Sequence, residues 1–350
     1  MRELLIVIAD FYLADGGERS IATEASKLPG LTRAIRFGTT SPIEAGWRAW
    51  LARWSGREAL ADLPPATVAS AAASETASES SVWIAQPVHL ITGMRSVHLD
   101  HAGMLRVDPA TQSQLVDSFT RDFASSSFKL APLASGSFLL TGPSAPNVKT
   151  TDPARYLGLT IEGAAPSGVG AAGLQRLAAE MEMWLHEHPV NGARARLRQR
   201  SISTLWLWGG GAPLTQGATQ STQGEVKQAL LGDDPYLDGL LALGVAKRIT
   251  VSPVTADLSC VFDVNADRAA VVVEAYRLPE SSSISTPLQA IEEIDRRWVA
   301  PAVDALGQGR LERLHIVAND RYVTMRSKDR LKIWRRPREA LTALSSERLR

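Results

Sequence analysis

Residues 4–9, LLIVIA, form an apolar run with no polar interruption. A strand with one wet face alternates in polarity, so this run predicts a strand buried on both faces, as in a parallel sheet covered by helices. That places the chain in the α/β class, with a mainly parallel central sheet. Asp10 follows directly, at the carboxyl end of the strand, where open α/β sheets collect their ligands.

Helical spacing recurs at Leu31 and Ile35, and again at Ile43, Trp47, Trp50, Leu51 and Trp54, so residues 28–60 read as two helices. A tryptophan stripe at this spacing is core or subunit interface before it is a ligand platform. Residues 66–82 are small and polar and read as a flexible loop. From Val82 to Leu90 the pattern is a strand, and RSVHL followed by MLRV predicts a hairpin turning at Asp100–Gly103. An amphipathic helix over Pro109–Phe123 and strands over Phe128–Leu133 and Ser137–Thr141 come next. Residues 142–170 and 212–235 are polar, glycine-containing connections, the second suited to a lid.

Beyond them lie a short helix (Tyr236–Leu243) and strands at Arg248–Val251, Leu258–Val261 and Ala269–Glu274. A helix follows over Pro287–Leu306, then a hairpin of Arg310–Val317 with Arg321–Met325, and a last strand near Leu331–Trp334. The chain divides accordingly. Residues 1–82 form the first part of an α/β core, 83–211 an inserted α+β region, and 212–350 the rest of the core with a basic end.

The densest chemistry falls at 180–211, EMEMWLHEHPVNGARARLRQRSISTLWLWGGG, which holds two of the six histidines and three of the nine tryptophans. Leu174, Leu177, Ala178, Met181, Trp184, Leu185 and His188 share one helical face, with Glu182 mostly off it, and Pro189 stops the helix. Ser203–Trp208 reads as a strand, with Leu205 and Leu207 on one side and Trp206 and Trp208 on the other. Gly209, Gly210 and Gly211 end it with backbone that lets a ligand approach closely. Arg194, Arg196, Arg198 and Arg200 share one side if extended and spread around the axis if helical. Arginine forks match phosphate or carboxylate, so the segment reads either as an anion site or as a solvated basic loop. His186 and His188 also suit a helix C-terminus, and Asn191 suits a turn.

The pattern E-x-x-x-x-L-H-x-H-P-V-N-x-x-R, followed by W-x-W-G-G-G, resembles a proteobacterial family described as RpfE-type regulatory proteins or as cofactor-independent phosphoglycerate mutase-like. It is carried here by Glu180, Leu185, His186, His188, Pro189, Val190, Asn191 and Arg194, then Leu205, Trp206, Trp208, Gly209 and Gly211. Trp83 with Pro87-Val88-His89-Leu90 is a second match, with Gln86 where the family carries an acid. Arg198, Ser201 and Ser203 replace a usual glycine, proline and asparagine. The resemblance implies a sheet of alkaline-phosphatase type. In that superfamily an Asp ending the first strand binds metal, the role Asp10 would take. It also implies a phosphate-handling ligand.

Several classes are disfavoured. The 38 Lys and Arg against 37 Asp and Glu leave a net charge of +1, so no global field draws nucleic acid or an anionic membrane. Ten basic against four acidic residues from Asp320 onward read as a solvated tail. Cys260, the single cysteine, rules out an internal disulfide and reads as a buried thiol in an apolar strand. No apolar run reaches the ~18 residues of a membrane span, and the start MRE-LLIVIA lacks a signal-peptide pattern, so the expected compartment is the cytoplasm. His98, Asp100 and His101 form H-x-D-H but lack the helical spacing of a metal motif. A two-metal phosphomutase needs roughly six carboxylate or imidazole ligands; a divalent metal is possible, but the six histidines supply no full set. Neither a G-x-S-x-G elbow nor a P-loop is present.

The expected function is that of a phosphoglycerate mutase-like protein without metal-dependent chemistry, holding an anion or phosphometabolite in a regulatory role. Its expected pocket gathers His186, His188, Asn191, Arg194, His89, Trp206, Trp208 and Gly209 over the following strand. A divergent metal-dependent phosphomutase or phosphatase is the alternative. An oligomeric interaction module using the tryptophan-rich helix is a third, with a homo-oligomer as its partner.

Overall fold

The computed structural model describes residues 1–9, 28–43, 45–73, 79–214, 227–251, 256–274, 287–318, 321–332 and 334–335. The strands are β1 (Glu3–Ala9), β2 (Thr39–Pro42), β3 (Ser80–Thr92), β4 (Val97–Met104), β5 (Lys129–Pro132) and β6 (Phe138–Pro143). Then come β7 (Thr204–Gly211), β8 (Gln228–Leu231), β9 (Lys247–Arg248), β10 (Arg268–Glu274), β11 (Arg313–Ala318) and β12 (Arg321–Arg326). The main helices are α1 (Pro29–Phe37), α2 (Gly46–Trp54), α3 (Pro65–Ala69), α4 (Pro109–Asp122), α5 (Ala171–Glu187), α6 (Pro189–Arg196) and α7 (Pro235–Ala242). A last helix, α8, comprises Pro287–Ile294, a π turn at Asp295–Val299, and Ala300–Gly307. Two compact units result: Met1–Asp62, Thr222–Gly232 and Val245–Arg350 form the first, Leu63–Ser221 and Asp233–Gly244 the second.

The first unit is an α/β layer structure on a seven-stranded mixed sheet ordered β2-β12-β11-β1-β10-β8-β9. The apolar run sits at its centre: β1 pairs in parallel with β10 and β11, and Leu4 through Ala9 are each 0% exposed. β8 extends the parallel part and is followed by β9, while β12 and β2 add antiparallel pairs at the other side. Leu4, Ile6 and Ile8 pack with Leu31 of α1 and with Ile294 and Trp298 of α8. Burying each such side chain is worth roughly 1.5–3 kcal/mol. On the opposite face Leu5 lies beside His315, whose ring meets Trp50 and Trp54 of α2. Trp47 and Trp54 of the tryptophan stripe are buried and Trp50 is half-buried.

α1 and α8 meet with almost no space between them. A Cβ on Gly30 would stand 2.4 Å from the backbone nitrogen of Ala300. Asp295, fully buried in the π turn, accepts the N–H groups of Gly30 (2.9 Å) and Leu31 (2.6 Å). The carboxylate thus fills the unmade bonds at the start of α1, where the helix dipole favours negative charge. Burial still raises its pKa, against the pull of those two bonds.

In the second unit β3 is the shared strand. The order is β4-β3-β6-β5, with β7 also on β3, and every pair is antiparallel. One face carries Trp83, Phe138, Leu205 and Leu207 against Phe119 of α4 and against Leu174, Leu177, Met181 and Leu185 of α5, the face read from the sequence.

Four local expectations are corrected. Residues 65–69 are a buried helix rather than loop, because Pro65 starts a turn whose small residues let α7 approach. The β3–β4 turn lies at 93–96 and not at Asp100–Gly103, which belongs to β4. Ser259–Phe262 is a helical turn rather than a strand, with the Asp257 carboxylate accepting the Ser259 N–H (2.9 Å), and Cys260 is half-buried with its thiol on the Asp257 carbonyl (2.8 Å). Of the last strand expected near Leu331–Trp334, Leu331 ends a 3-10 turn that starts at Ser327, Trp334 lies in a turn, and Ile333 falls outside the described residues.

Candidate functional site

His188 ends α5 and begins α6, extended at φ −70° and ψ 135° as a residue before proline must be. Its Nδ1 accepts the Val190 N–H (3.2 Å), which leaves the ring proton on Nε2 to donate to Ser118 Oγ (3.0 Å) on α4. Ser118 donates onward to Asp122 Oδ2 (3.0 Å), and the Trp184 indole donates to the same oxygen (3.0 Å). That indole bond, with those from Ser118 and Arg121, holds Asp122 below its usual pKa, while burial lowers that of His188. Serine, histidine and aspartate are therefore together, but in the wrong order for acyl transfer. A general base needs a free Nε2 lone pair and a carboxylate on Nδ1, whereas here Nε2 donates and a backbone N–H occupies Nδ1.

Asn191 is a clasp. Its Nδ2 donates to the carbonyls of Leu185 (2.7 Å) and Ile202 (2.9 Å), and its Oδ1 accepts the Ile202 N–H (2.8 Å). The end of α5 is thereby tied to the chain entering β7. Arg194, also buried, donates Nε to the Arg200 carbonyl (2.6 Å). The arginines do not share a side. Arg194 and Arg196 lie in α6, Arg198 takes a left-handed φ of 55°, and Arg200 pairs with Asp100 (2.7 Å). Asp100 has a lowered pKa, because Arg200 and the Ala102 N–H outweigh the burial that raises it.

The other expected site residues scatter. His186 is exposed on α5. His89 is half-buried, its Nδ1 on the Ser201 carbonyl (2.9 Å). Trp206 donates Nε1 to the Thr151 carbonyl (2.8 Å), and Trp208 is buried. The triple glycine serves packing rather than a ligand. Gly209 has φ 66°, and a Cβ on Gly210 would lie 2.2 Å from Trp83 Nε1 and one on Gly211 2.4 Å from Thr67 Oγ1. Gln86 donates Nε2 to the Leu105 carbonyl (2.7 Å), a bond no carboxylate could make, and its Oε1 accepts the Ser137 hydroxyl (2.7 Å). In H-x-D-H, His98 bonds Ser96 Oγ (2.8 Å) and His101 lies over Gly158. No group of three His, Cys, Asp or Glu that could hold a metal occurs among the described residues, and Asp10 lies outside them.

A cleft of about 240 Å3 does open beside this clasp. Thr204 to Leu207 of β7 form one wall, Ala178, Ala179 and Glu182 of α5 a second, and residues 161–166 a third. Among the described strands β7 pairs with β3 alone, so the cleft follows its other edge. The lining is mainly apolar, with three polar side chains, of which Gln175 donates to the Pro166 carbonyl (2.7 Å). Thr204 Oγ1 is buried without a hydrogen-bond partner, and Glu182, exposed at the rim, has its carboxyl pKa raised by partial loss of solvent. Of the residues singled out in the sequence as ligand-binding, only Trp206 lines this cleft.

No family model and no curated protein matches the chain. Among solved structures it is similar to the PH0037 protein from Pyrococcus horikoshii, with 13% identity, a TM-score of 0.52, and 97% of this chain and 92% of that one covered. It is also similar to the cofactor-independent phosphoglycerate mutase from Thermoplasma acidophilum, at 15% identity and a TM-score of 0.41, over 93% of this chain and 90% of that one. The likeness is one of fold. No helix among the described residues is long and apolar enough to cross a membrane.

Proposed function

We propose that the protein is a regulatory, ligand-binding member of the phosphoglycerate mutase-like group, of the RpfE type, that works by binding rather than by metal-dependent chemistry. The H-P-V-N and W-x-W-G-G-G matches support the family reading. The cleft along β7 supports binding, and its unpartnered Thr204 hydroxyl carries the proposal, because a buried polar group without a partner is costly unless something supplies one. Its ligand is a small molecule with an apolar body and a cationic or hydrogen-bonding group facing Glu182 and Thr204. A phosphate there would meet the Glu182 carboxylate with no arginine in the lining. A thermal-shift screen of small amines, alcohols and phosphorylated metabolites, followed by titration of the hits, tests this. Ala178→Leu fills the cleft on a helix that tolerates leucine, and should abolish binding while leaving the melting temperature unchanged. Hits that bind the variant as tightly as the parent would reject the cleft.

One observation favours a second reading, a divergent metal-dependent phosphomutase or phosphatase. Glu274, buried at the carboxyl end of β10, is the register partner of Ala9, which immediately precedes Asp10. Metal analysis of the purified protein with a phosphatase and mutase screen separates the two. Stoichiometric divalent metal, with turnover lost in Asp10→Ala, would replace binding by catalysis.

A further inference from the structure

The first unit carries a hollow of about 580 Å3, walled by residues 256–262, the π turn and the end of α8. Three guanidinium groups face it, from Arg296, Arg297 and Arg310, together with the carboxylates of Asp257 and Asp304. Most of these charges are already matched. Asp304 accepts Arg33 Nη1 (2.7 Å), and Asp257 accepts the Ser259 N–H (2.9 Å) and hydroxyl (2.5 Å). Glu293 accepts Nε (2.8 Å) and Nη2 (2.5 Å) of Arg296, and Nε of Arg297 (2.5 Å).

Arg310 is the exception. Its guanidinium lies over the Phe262 ring, 4.4 Å from the centroid, and among the described residues no carboxylate pairs with it. Stacking holds the planar fork in place and leaves its edge N–H groups for a bidentate acceptor. Arg297 and Gln308 line the same hollow. The volume falls within the ~300–1,000 Å3 typical of small-molecule pockets.

We infer that this hollow binds a small molecule bearing an oxyanion, a phosphate or a carboxylate, with Arg310 as the anchoring residue. Position separates it from the place where open α/β sheets bind their principal ligands. Residues 256–262 lead into β10 and Arg310 leads into β11, so the hollow lies toward the amino ends of these strands, whereas principal ligands gather at the carboxyl ends. It is a second site, suited to an effector, and does not depend on the β7 cleft.

The test is calorimetric titration of the full chain at low ionic strength, with inorganic phosphate and with succinate as probes. Saturable one-site binding of either is expected, the tighter probe naming the oxyanion. Arg310→Gln should weaken it about tenfold or more, the loss expected for a charge-assisted bidentate contact. Phe262→Leu keeps the charge but removes the platform, and should weaken binding several-fold. Arg176→Gln, an equal charge loss on exposed α5, and Ala178→Leu in the β7 cleft should leave it unchanged. Arg310 is exposed, so the variant should melt with the parent by circular dichroism. Absence of saturable heat, or equal weakening by Arg176→Gln and Arg310→Gln, overturns the site.

Discussion

His315 makes the stability of the first unit depend on acidity in a way that can be worked through. The imidazole is 7% exposed in the middle of β11; Nδ1 meets Thr324 Oγ1 (3.0 Å), and Nε2 is buried without a hydrogen-bond partner. Trp50 and Trp54 cover the ring. Burial, with repulsion from Arg313, Arg268 and Arg326, lowers its pKa from 6.5 to about 4. The unfolded chain therefore binds a proton that the folded chain refuses between those values, and stability falls as pH drops through that window. The penalty is absent well above pH 6.5, grows on acidification and levels off below about pH 4.

At ~1.36 kcal/mol per unit, going from 6.5 to about pH 4.5 costs roughly 2.0 × 1.36, or about 2.7 kcal/mol. His315→Phe keeps an aromatic ring against the tryptophans and cannot titrate. Urea unfolding of both proteins at about pH 7 and about pH 4.5, followed by tryptophan fluorescence, gives a double difference in which all other groups cancel. The parent should lose about 2.7 kcal/mol more than the variant. Parallel losses, within about 0.5 kcal/mol, would show that the ring is hydrated or already paired and refute the reasoning.

Asn191→Ala removes three hydrogen bonds to Leu185 and Ile202 and should cost about 2–4 kcal/mol in urea melts. Asn191→Asp should fare no better, since it has no amide to donate. Asp295→Ala strands the N–H groups of Gly30 and Leu31 inside the protein and should cost about 2–5 kcal/mol, read as a lower melting temperature. Gly30→Ala, whose methyl group would strike the backbone of α8, should be at least as damaging or fail to yield soluble protein.

Much of the fold could be read from residue pattern, and little of the site. LLIVIA reads as a strand covered on both faces and the Leu174–Leu185 stripe as a buried helical face, and both are found so. Short pieces were harder. LSCVF is apolar enough for a strand, yet it folds as a helical turn with the Asp257 carboxylate on the Ser259 N–H. The basic segment hid α6, because a helix of eight residues with one buried arginine leaves almost no periodic signal. His188 and Asn191 misled for a chemical reason. The groups that would grip a ligand are the same ones that satisfy backbone at a helix junction. Glu182 and Thr204, which flank the cleft, sit 22 residues apart in sequence (204 − 182) and look ordinary in their own elements. Only the packing of α5 beside the edge of β7 brings them together.

The place of β1 carries a cost during synthesis. β1 is wedged between β10 and β11, strands made roughly 260 and 310 residues after it. Until those neighbours emerge, six apolar residues have no permanent partner, and the cap for α1 does not yet exist, since Asp295 supplies it. The second unit is complete by residue 244 and can collapse meanwhile. Nascent chains should therefore be most prone to aggregate, and to hold chaperones, up to the moment residue 318 clears the exit tunnel.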